Sequence, residues 1–163
     1  MIRDVRLEDA QALADIYNPY IVGTTYTFEY TAITAEEMRR RIEETIVKYP
    51  YLVYEDENGK VIGYCYAHTW RPRAAFLHTC EVSIYLDQNH LGHGVGTQLY
   101  TELFERLKKL DYRALVAGVT EENVNSAKFH LHYGFKKVAH FEQVGWKFER
   151  WLGLDYYELI LEK

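Results

Sequence analysis

The segment CEVSIYLDQNHLGHGVGTQLY, residues 80–100, joins a strand pattern to a helix pattern through a glycine-rich loop. Residues 80–86 are rich in β-branched and aromatic side chains, which predicts a strand. Beyond the loop, Leu99, Leu103 and Leu107 recur at helical spacing and predict an amphipathic helix. The segment therefore predicts a strand, a glycine-rich loop and a helix in that order.

Three glycines alternate in the loop, at Gly92, Gly94 and Gly96. Glycine lets backbone N–H groups converge without a Cβ in the way, and a helix N-terminus adds unpaired donors and a positive dipole end. A loop of this kind binds phosphate groups. A simple tight turn is the alternative, but one glycine would suffice for that, and we therefore favour an anion site.

The spacing of the loop argues against two familiar phosphate sites. A P-loop needs a lysine directly after its last glycine, whereas Gly96 is followed by Thr97 and Gln98. A dinucleotide fingerprint reads G-x-G-x-x-G and opens the first strand–helix–strand unit, whereas this G-x-G-x-G loop lies past the middle of the chain. The remaining interpretation is that the loop binds the pyrophosphate group of a different kind of ligand.

Hydrophobic patterns on both sides of this segment predict an α+β fold. The turn Asn58-Gly59 needs positive φ and predicts an antiparallel hairpin. Strands joined through helices can instead run parallel. We therefore expect a mixed but mostly antiparallel sheet with flanking helices. A capping box at 34–37 opens a helix that runs to about Lys48. Residues 23–30 predict a short strand or an ordered loop. Further strands are expected at 2–6, 51–55, 61–67, 113–119, 136–144 and 156–161, and further helices at 9–20 and 126–133.

Length, charge and cysteine content exclude several classes of protein. The 163 residues suit a single domain, 1–163, with one sizeable core. The net charge is −5 and the arginine run 39–41 lies on the solvated face of a predicted helix, so no nucleic-acid partner is expected. The sequence contains no membrane-span or signal-peptide pattern, so no membrane partner is expected either. Cys65 and Cys80 fall in apolar strand patterns, which favours reduced thiols and a cytoplasmic location.

Two close histidine pairs, His90 with His93 and His130 with His132, raise the hypothesis of a metal site. Neither spacing puts two imidazole rings on one helix face, and no carboxylate or cysteine cluster joins them. We therefore expect no metal.

The residues around the loop resemble the acetyl-CoA motif of the GNAT superfamily. The resemblance lies in the strand Val82–Leu86, the loop Gly92–Thr97 and the helix that begins at Gln98. Downstream, the segments Asn123–Ser126 and His130–Phe135 resemble the last helix of that superfamily. The resemblance implies a GNAT-like N-acyltransferase fold.

Other segments narrow the resemblance to phosphinothricin acetyltransferases and their methionine-sulfoximine-acetylating relatives. The similar segments are Tyr17-Asn18, Trp70–Arg73, Glu81–Tyr85, Val116–Val119 and Val144–Trp151, so the resemblance extends over essentially the whole chain. The glycine loop alone would indicate only the superfamily. The Arg-Pro-Arg loop together with the Gly-Trp-Lys-Phe segment points to the subfamily.

The resemblance implies acetyl-CoA as the cosubstrate. Its pantetheine arm would enter a local gap between strands 80–86 and 113–119, where Asn123 would reach the amides of the arm. The superfamily often has Gln or Arg three residues before Gly94, where this chain has Leu91, so we expect altered cofactor affinity rather than lost function. The expected cofactor-binding residues are Ile84, Tyr85, Leu86, Gly92, His93, Gly94, Val95, Gly96, Thr97, Asn123 and Ser126.

Acetyl transfer to an amine needs a base, because free amino-acid amines are mostly protonated near neutral pH. Glu81 is the candidate, on the strand that leads to the loop; a strand carboxylate that merely faces solvent is the alternative. A strand N–H near Ile84 or Tyr85 would stabilise the oxyanion. His130 stands where the superfamily commonly has its general-acid tyrosine, so the resemblance implies that it protonates the leaving thiolate, with Tyr133 as a second candidate.

Arg71 and Arg73, separated by one proline, could present two guanidinium groups to a carboxylate and to a phosphinyl or sulfoximine oxygen. An exposed basic loop that only forms surface ion pairs is the alternative. The resemblance implies a small amino-acid-like amine as the substrate, and two arginines suit its anionic groups. Further substrate-binding residues are expected at Phe28 and Lys147, with Trp70 and Phe76 as apolar walls.

Other functions remain open at this point. The acceptor could be a polyamine, an aminoglycoside or a protein N-terminus, although a polycation calls for an acid-rich site and Arg71 and Arg73 argue against it. A non-catalytic acyl-CoA-binding module would use the glycine loop equally well. The family that the chain resembles commonly forms homodimers, and the aromatic segment 146–157 offers a contact surface, so a homodimer is expected.

Overall fold

The sequence patterns correspond to seven strands and four α-helices in the computed structural model, which describes residues 1–162. The strands are β1 (Ile2–Asp4), β2 (Tyr51–Glu55), β3 (Val61–Thr69), β4 (Thr79–Leu86), β5 (Ala114–Thr120), β6 (Lys136–Lys147) and β7 (Arg150–Ile160). The helices are α1 (Ala10–Gly23), α2 (Ala35–Ile46), α3 (Val95–Lys109) and α4 (Val124–Tyr133).

Helix ends follow the predicted local chemistry, whereas strand ends follow pairing. The Thr34 hydroxyl accepts a hydrogen bond from the Glu37 N–H at 3.1 Å and begins α2. Gly134, at φ 117°, ends α4 in the left-handed conformation. Residues 23–30 form a loop after the end of α1, so the loop alternative is the correct one. Strand β7 begins at Arg150, earlier than predicted, because its first residues pair with β6 in a ladder.

The sheet is mixed and mostly antiparallel, as predicted. Its strand order is β1-β2-β3-β4-β5-β7-β6, and β4–β5 is the one parallel pair among residues 1–162. Because side chains alternate across a strand, the sheet has two buried faces. One face packs against α3 and α4 and the other against α1 and α2. We call them the α3 face and the α1 face.

Strands β4 and β5 pair only at their first residues. The parallel ladder joins Thr79–Glu81 to Ala114–Val116 and then stops, although both strands continue. The remaining residues of β4 and β5 diverge and leave a V-shaped gap whose vertex lies at Glu81 and Val116. This confirms the predicted gap between the two strands.

Candidate active site

A cavity of about 470 Å³ occupies the gap between β4 and β5. Its walls come from the unpaired parts of both strands, from the glycine loop and from α4. Tyr20 and Tyr26 close it on the α1 face, whereas Tyr100 and Phe129 line it on the α3 face. The cavity is therefore lined by side chains from both faces of the sheet.

Backbone polar groups of β4 point into this gap. Antiparallel pairs alternate between residues that bond to the partner strand and residues that face away from it. The Asp87 N–H donates to the Ile62 carbonyl of β3 at 2.8 Å, so by alternation Tyr85 bonds to β3 whereas Ile84 and Leu86 face the gap. The Leu86 carbonyl already accepts a hydrogen bond from the Tyr20 hydroxyl at 2.5 Å. Of the two predicted oxyanion donors, the Ile84 N–H is therefore the available one, since the Tyr85 N–H is committed to β3.

The opposite strand offers matching groups. The Glu121 N–H donates to the Gly153 carbonyl at 3.0 Å, which fixes the odd-numbered residues of β5 as the ones bonded to β7. The backbone of Gly118 therefore faces the gap. Two strands with unpaired backbone groups on either side of a gap can bind an extended amide-containing chain as an added strand would bind.

The glycine loop lies at the wide end of the gap, just beyond β4. Gly92 has φ 82° and Gly94, the N-cap of α3, has φ 76°, a conformation that side chains disfavour. Within residues 1–162, no protein oxygen accepts a hydrogen bond from the N–H groups of residues 92–97. Unpaired N–H groups at the N-terminus of a fifteen-residue helix form an anion site.

Gly96 has a separate packing role. A Cβ at this position would lie 3.3 Å from Phe129 Cζ and 3.6 Å from Ile84 Cδ1. The absence of a side chain thus lets the first turn of α3 approach β4 and α4 at the wall of the cavity. The three glycines consequently serve different needs, two of them backbone conformation and one close packing.

Most of the predicted cofactor-binding residues meet at this cavity. Asn123 caps α4 by accepting a hydrogen bond from the Ser126 N–H at 3.2 Å, and both residues line the cavity. The side chain of Val95 packs in the core instead. His93, Gly94 and Thr97 lie exposed in the loop and the first turn of α3, outside the cavity lining, where their backbone N–H groups are available to an anion. The lining includes Ile84, Tyr85, Leu86, Gly92, Gly96, Asn123, Ser126 and His130.

Glu81 lies at the vertex of the gap, with its side chain on the α1 face. It pairs with Val116 on one side and His68 on the other, and its carboxylate Oε2 is 3.2 Å from His68 Nε2. Burial raises the pKa of Glu81. A half-buried carboxylate with a raised pKa beside a cavity has the properties of a general base.

His130 lines the cavity from the α3 face, and both of its ring nitrogens are engaged. Nδ1 lies 2.8 Å from the Ser126 carbonyl, which can only accept, so Nδ1 carries the proton of the neutral ring. Nε2 then accepts from the Tyr100 hydroxyl at 2.9 Å. Burial lowers the pKa of His130. The Tyr133 hydroxyl instead contacts Thr101 at 3.0 Å and lies outside the cavity lining.

Arg71 and Arg73 lie in the segment between β3 and β4, which we call the arginine loop. The Arg71 guanidinium lies 5.0 Å from the centre of the Trp70 ring, and Trp70 contacts Phe76 edge-to-face. Arg71 and Glu81 both act electrostatically on the Tyr156 hydroxyl of β7, so all three border one region of the sheet. In the described part of the chain, no carboxylate forms an ion pair with Arg71 or Arg73.

Lys147 and Phe28 form a second group of predicted substrate-binding residues, where the loop after α1 contacts β6. The Lys147 ammonium is 2% exposed and donates to the Thr27 carbonyl at 2.8 Å. Burial lowers the pKa of Lys147, and no carboxylate of residues 1–162 lies within ion-pair distance. Phe28 packs on Gly145 and lines a second cavity with Tyr30 and Trp146. No described hydrogen bond joins this group to the arginine loop.

Two residues of the site escaped the sequence analysis. His68 contacts Glu81 because the β3–β4 register pairs them, and Tyr100 contacts His130 because α3 and α4 pack together. The hairpin register could have indicated His68, since it lies opposite the predicted base across an antiparallel pair. No local signal pointed to Tyr100.

Two further features bear on the expected classes of ligand. In residues 1–162, no group of three or more His, Cys, Asp or Glu side chains is arranged to hold a metal ion. The helices described there are also too short or too polar to cross a bilayer. Cys65 and Cys80 are buried and unpaired with each other.

Comparisons with known proteins place these observations in a family. Residues 2–153 match the model of the acetyltransferase (GNAT) domain. The chain is 36% identical to the L-amino acid N-acyltransferase MnaT of Escherichia coli strain K12, over 99% of this chain and 94% of that protein. It is 32% identical to the L-methionine sulfoximine/L-methionine sulfone acetyltransferase of Salmonella typhimurium strain LT2, over 99% and 95%.

A solved structure has the same architecture. The phosphinothricin acetyltransferase of Sinorhizobium meliloti in complex with acetyl-CoA superimposes with a TM-score of 0.94 at 32% identity. The alignment covers 99% of this chain and 88% of that one. The sheet, the gap and the glycine loop described above therefore belong to an architecture known to hold acetyl-CoA.

Proposed function

This chain belongs to the GNAT acetyltransferase family, and we propose on that premise that it acetylates the primary amine of a small L-amino acid of the phosphinothricin or methionine sulfoximine type. It is an acetyl-CoA-dependent N-acetyltransferase. The observation that carries the proposal is the gap between β4 and β5, which runs from the unpaired loop amides to its vertex at Glu81, next to the lining residue Val82. A cosubstrate that fills the gap would present its thioester beside a base.

Acetyl-CoA would bind along the gap between β4 and β5. The N–H groups of residues 92–97 would hold the pyrophosphate, and Asn123 and the backbone of Gly118 would pair with the pantetheine amides. From Leu86 to Glu81 the strand rises by roughly 16 Å, the span the arm would cover. The Ile84 N–H then faces the carbonyl oxygen and would stabilise the negative charge of the tetrahedral intermediate.

The reaction would proceed by direct attack. Glu81 takes a proton from the acceptor ammonium, and the amine nitrogen forms a bond to the thioester carbonyl carbon. The nitrogen of the tetrahedral intermediate then loses its second proton to solvent, the C–S bond breaks as the intermediate collapses, and the thiolate needs a proton. We propose that His130 supplies that proton through Tyr100: the neutral imidazole first takes up a proton from solvent at Nε2, and it then gives this proton to the Tyr100 oxygen while the Tyr100 hydroxyl proton moves to sulfur. Because burial lowers the pKa of His130, the imidazolium gives up its proton readily.

The acceptor would be recognised through its negative charges. Arg71 and Arg73 carry guanidinium groups without an ion-pair partner, suited to a carboxylate or to a phosphinyl oxygen. Lys147 adds a buried ammonium that donates to the Thr27 carbonyl and lies over the Phe148 ring, with no carboxylate of residues 1–162 within ion-pair distance; a buried cation of this kind attracts an anion. Phe28 supplies an apolar wall. Positive charge of this kind repels polyamines and aminoglycosides.

A direct assay tests the proposal. Purified protein is mixed with acetyl-CoA and, separately, L-methionine sulfoximine, phosphinothricin, L-methionine, spermidine and an aminoglycoside, and release of the free CoA thiol is followed. We expect release with the two oxyanion-bearing amino acids and little with the polycations. Preference for a polycation would refute the acceptor class, and binding of CoA without turnover on any amine would favour a non-catalytic acyl-CoA-binding module.

Replacing Lys147 by Met tests recognition of the acceptor. The substitution keeps the side-chain length but removes the ammonium, so KM for an anionic amino acid should rise by about 10- to 100-fold, the value of one hydrogen bond to a charged group. Thr27 loses its donor, but the cost of burying an ammonium also disappears, so the free energy of unfolding should change by no more than about 1 kcal/mol. Steady-state kinetics and urea unfolding measure the two effects.

Lys136→Met is the matched control, because Lys136 is exposed on the same strand, β6. It should leave KM unchanged. An equal KM in the Lys147 and Lys136 variants would remove Lys147 from the acceptor site.

The remaining expectations extend the proposal. We propose that residues 1–163 act as a single domain in the cytoplasm, without a metal and without nucleic-acid or membrane partners. We also propose a homodimer, supported by the exposed aromatic side chains Trp146, Phe148 and Trp151 at the β6–β7 turn, which are 45%, 52% and 58% exposed. Light scattering of the purified protein would measure its mass in solution.

A further inference from the structure

A histidine lies against the carboxylate that we assign as the base. His68 on β3 and Glu81 on β4 are directly opposite in the antiparallel ladder, so their side chains lie on the same face, the α1 face. His68 Nε2 is 3.2 Å from Glu81 Oε2 and 3.3 Å from Ser83 Oγ. The imidazole also packs on the Tyr66 ring, with centroids 5.5 Å apart. Both side chains are thus held in place by the sheet.

We propose that His68 is a positioning residue of the acetyl transfer. It holds the Glu81 carboxylate at the vertex of the gap, and it passes to water the proton that Glu81 removes from the acceptor amine. The inference rests on the proposed function, since it assumes that Glu81 activates an amine. It assigns a role to a side chain that contacts the base and does not itself touch the substrate.

The environment favours a proton shared between the two groups. Burial raises the pKa of Glu81 and lowers the pKa of His68, so the proton affinities of a carboxylate and an imidazole approach each other. Protons of two groups in such close contact belong to the pair rather than to either group. The two shifts therefore reduce the free-energy difference for moving a proton between Oε2 and Nε2, which are in contact at 3.2 Å.

Two other ionisable side chains lie near the pair on the α1 face. Tyr66 packs on His68 from the same strand, β3, and Tyr156 on β7 is close enough to Glu81 to be affected by its charge. Burial raises the pKa of both tyrosines, so neither hydroxyl competes for the proton near neutral pH. His68 is consequently the group next to Glu81 that can exchange a proton in this pH range.

The exposed edge of His68 completes the path. Its side chain is 33% exposed and that of Glu81 is 24% exposed, so the histidine has the better contact with water. The acceptor N–H proton passes to Glu81 Oε2, then to His68 Nε2, and an imidazole proton is released to solvent. The amine nitrogen keeps its electron pair for the bond to the carbonyl carbon, and Glu81 returns to its ionised form for the next turnover.

The test uses two variants and an added base. His68→Ala should lower kcat by about tenfold, a part of the effect of general base catalysis. The KM for acetyl-CoA should stay within about twofold because the cofactor binds in the gap. Imidazole added in solution should restore a large part of kcat by occupying the vacated space, with more basic substituted imidazoles more effective. His68→Gln keeps an amide near Glu81 but carries no exchangeable base, so it should be slow and should not respond to imidazole.

The control is His140→Ala, because His140 on β6 also contacts a carboxylate, Asp155, at 2.5 Å with a side chain 37% exposed. It should keep the wild-type kcat. Reactions without the amino acid measure acetylation of imidazole itself, and circular dichroism and calorimetric binding of acetyl-CoA verify that each variant is folded.

The outcomes separate this inference from the proposed function. Wild-type kcat in His68→Ala, full activity in His68→Gln, or a slow His68→Ala that imidazole does not restore would each overturn the role of His68 while leaving the transferase intact. A wild-type protein that acetylates no amino acid would overturn both proposals.

Discussion

Replacing Glu81 by Gln is expected to lower kcat by about 10²- to 10⁴-fold, the usual contribution of a general base. The amide has nearly the same shape as the carboxylate but cannot take the proton of the acceptor ammonium. Acetyl-CoA binding should stay within about twofold, because the pyrophosphate and the pantetheine arm bind along the gap and not to the Glu81 side chain. Steady-state rates and calorimetric titration with acetyl-CoA measure the two quantities.

The pH dependence of the wild-type enzyme gives a second readout of Glu81. Burial raises the pKa of this carboxyl above the 4.5 of an ordinary glutamate. Only the ionised carboxylate can act as the base, so kcat/KM should be high above this raised pKa and should fall as the pH drops through it. Glu81→Gln should lose this acidic limb.

Glu158→Gln is the matched control. Glu158 on β7 pairs with Val116, which also pairs with Glu81, so the two glutamates lie in one row of the sheet on the same face. Two strand spacings, about 10 Å, separate them. The control should keep the wild-type kcat; an equal loss in both variants, or none in Glu81→Gln, would mean that Glu81 is not the base.

Replacing Gly96 by Val is expected to raise the Kd for acetyl-CoA by about 10- to 100-fold, corresponding to 1–3 kcal/mol of overpacking. The Cβ alone would lie 3.3 Å from Phe129 Cζ, and the two added methyl groups must also be accommodated at the cavity wall. The first turn of α3 would move away from β4, and the unpaired N–H groups would move with it. Gly96→Ala should show a smaller increase in Kd.

Gly23→Val is the control, because nothing lies within 4 Å of a Cβ at the end of α1. Its Kd should match that of the wild type, and thermal unfolding would report any general loss of stability in either variant. Unchanged acetyl-CoA binding in Gly96→Val would show that the cosubstrate does not sit against this turn of α3.

The positions that the sequence indicated best are those where local chemistry is decisive. Gly94 and Gly134 occupy left-handed backbone conformations that other side chains disfavour, and Thr34 caps α2 through its own hydroxyl. In each case the residue type reports the backbone within one turn of itself. The predicted helix ends and the glycine loop were therefore close to those observed.

Strand boundaries were less predictable. Strand β7 begins at Arg150, where the amino-acid pattern alone gave no strand, because its backbone hydrogen bonds go to β6. Hydrogen-bond partners in a sheet are distant in sequence, and a strand extends as far as its neighbour pairs with it. The turn composition at 147–150 did not reveal that length.

The residues of the candidate site also fall into two groups, those that the sequence indicated and those that only the tertiary structure revealed. The sequence by itself indicated the glycine loop, because that loop depends on residue type and on short spacings, and the resemblance to known acetyltransferases pointed to Glu81, Arg71 and Lys147 as candidate site residues. Only the tertiary structure decided that His68 contacts Glu81, that Tyr100 holds His130 and that the Ile84 rather than the Tyr85 N–H faces the gap. Strand register and helix packing set those contacts, and both are fixed by the simultaneous burial of many distant side chains, which no short stretch of sequence specifies.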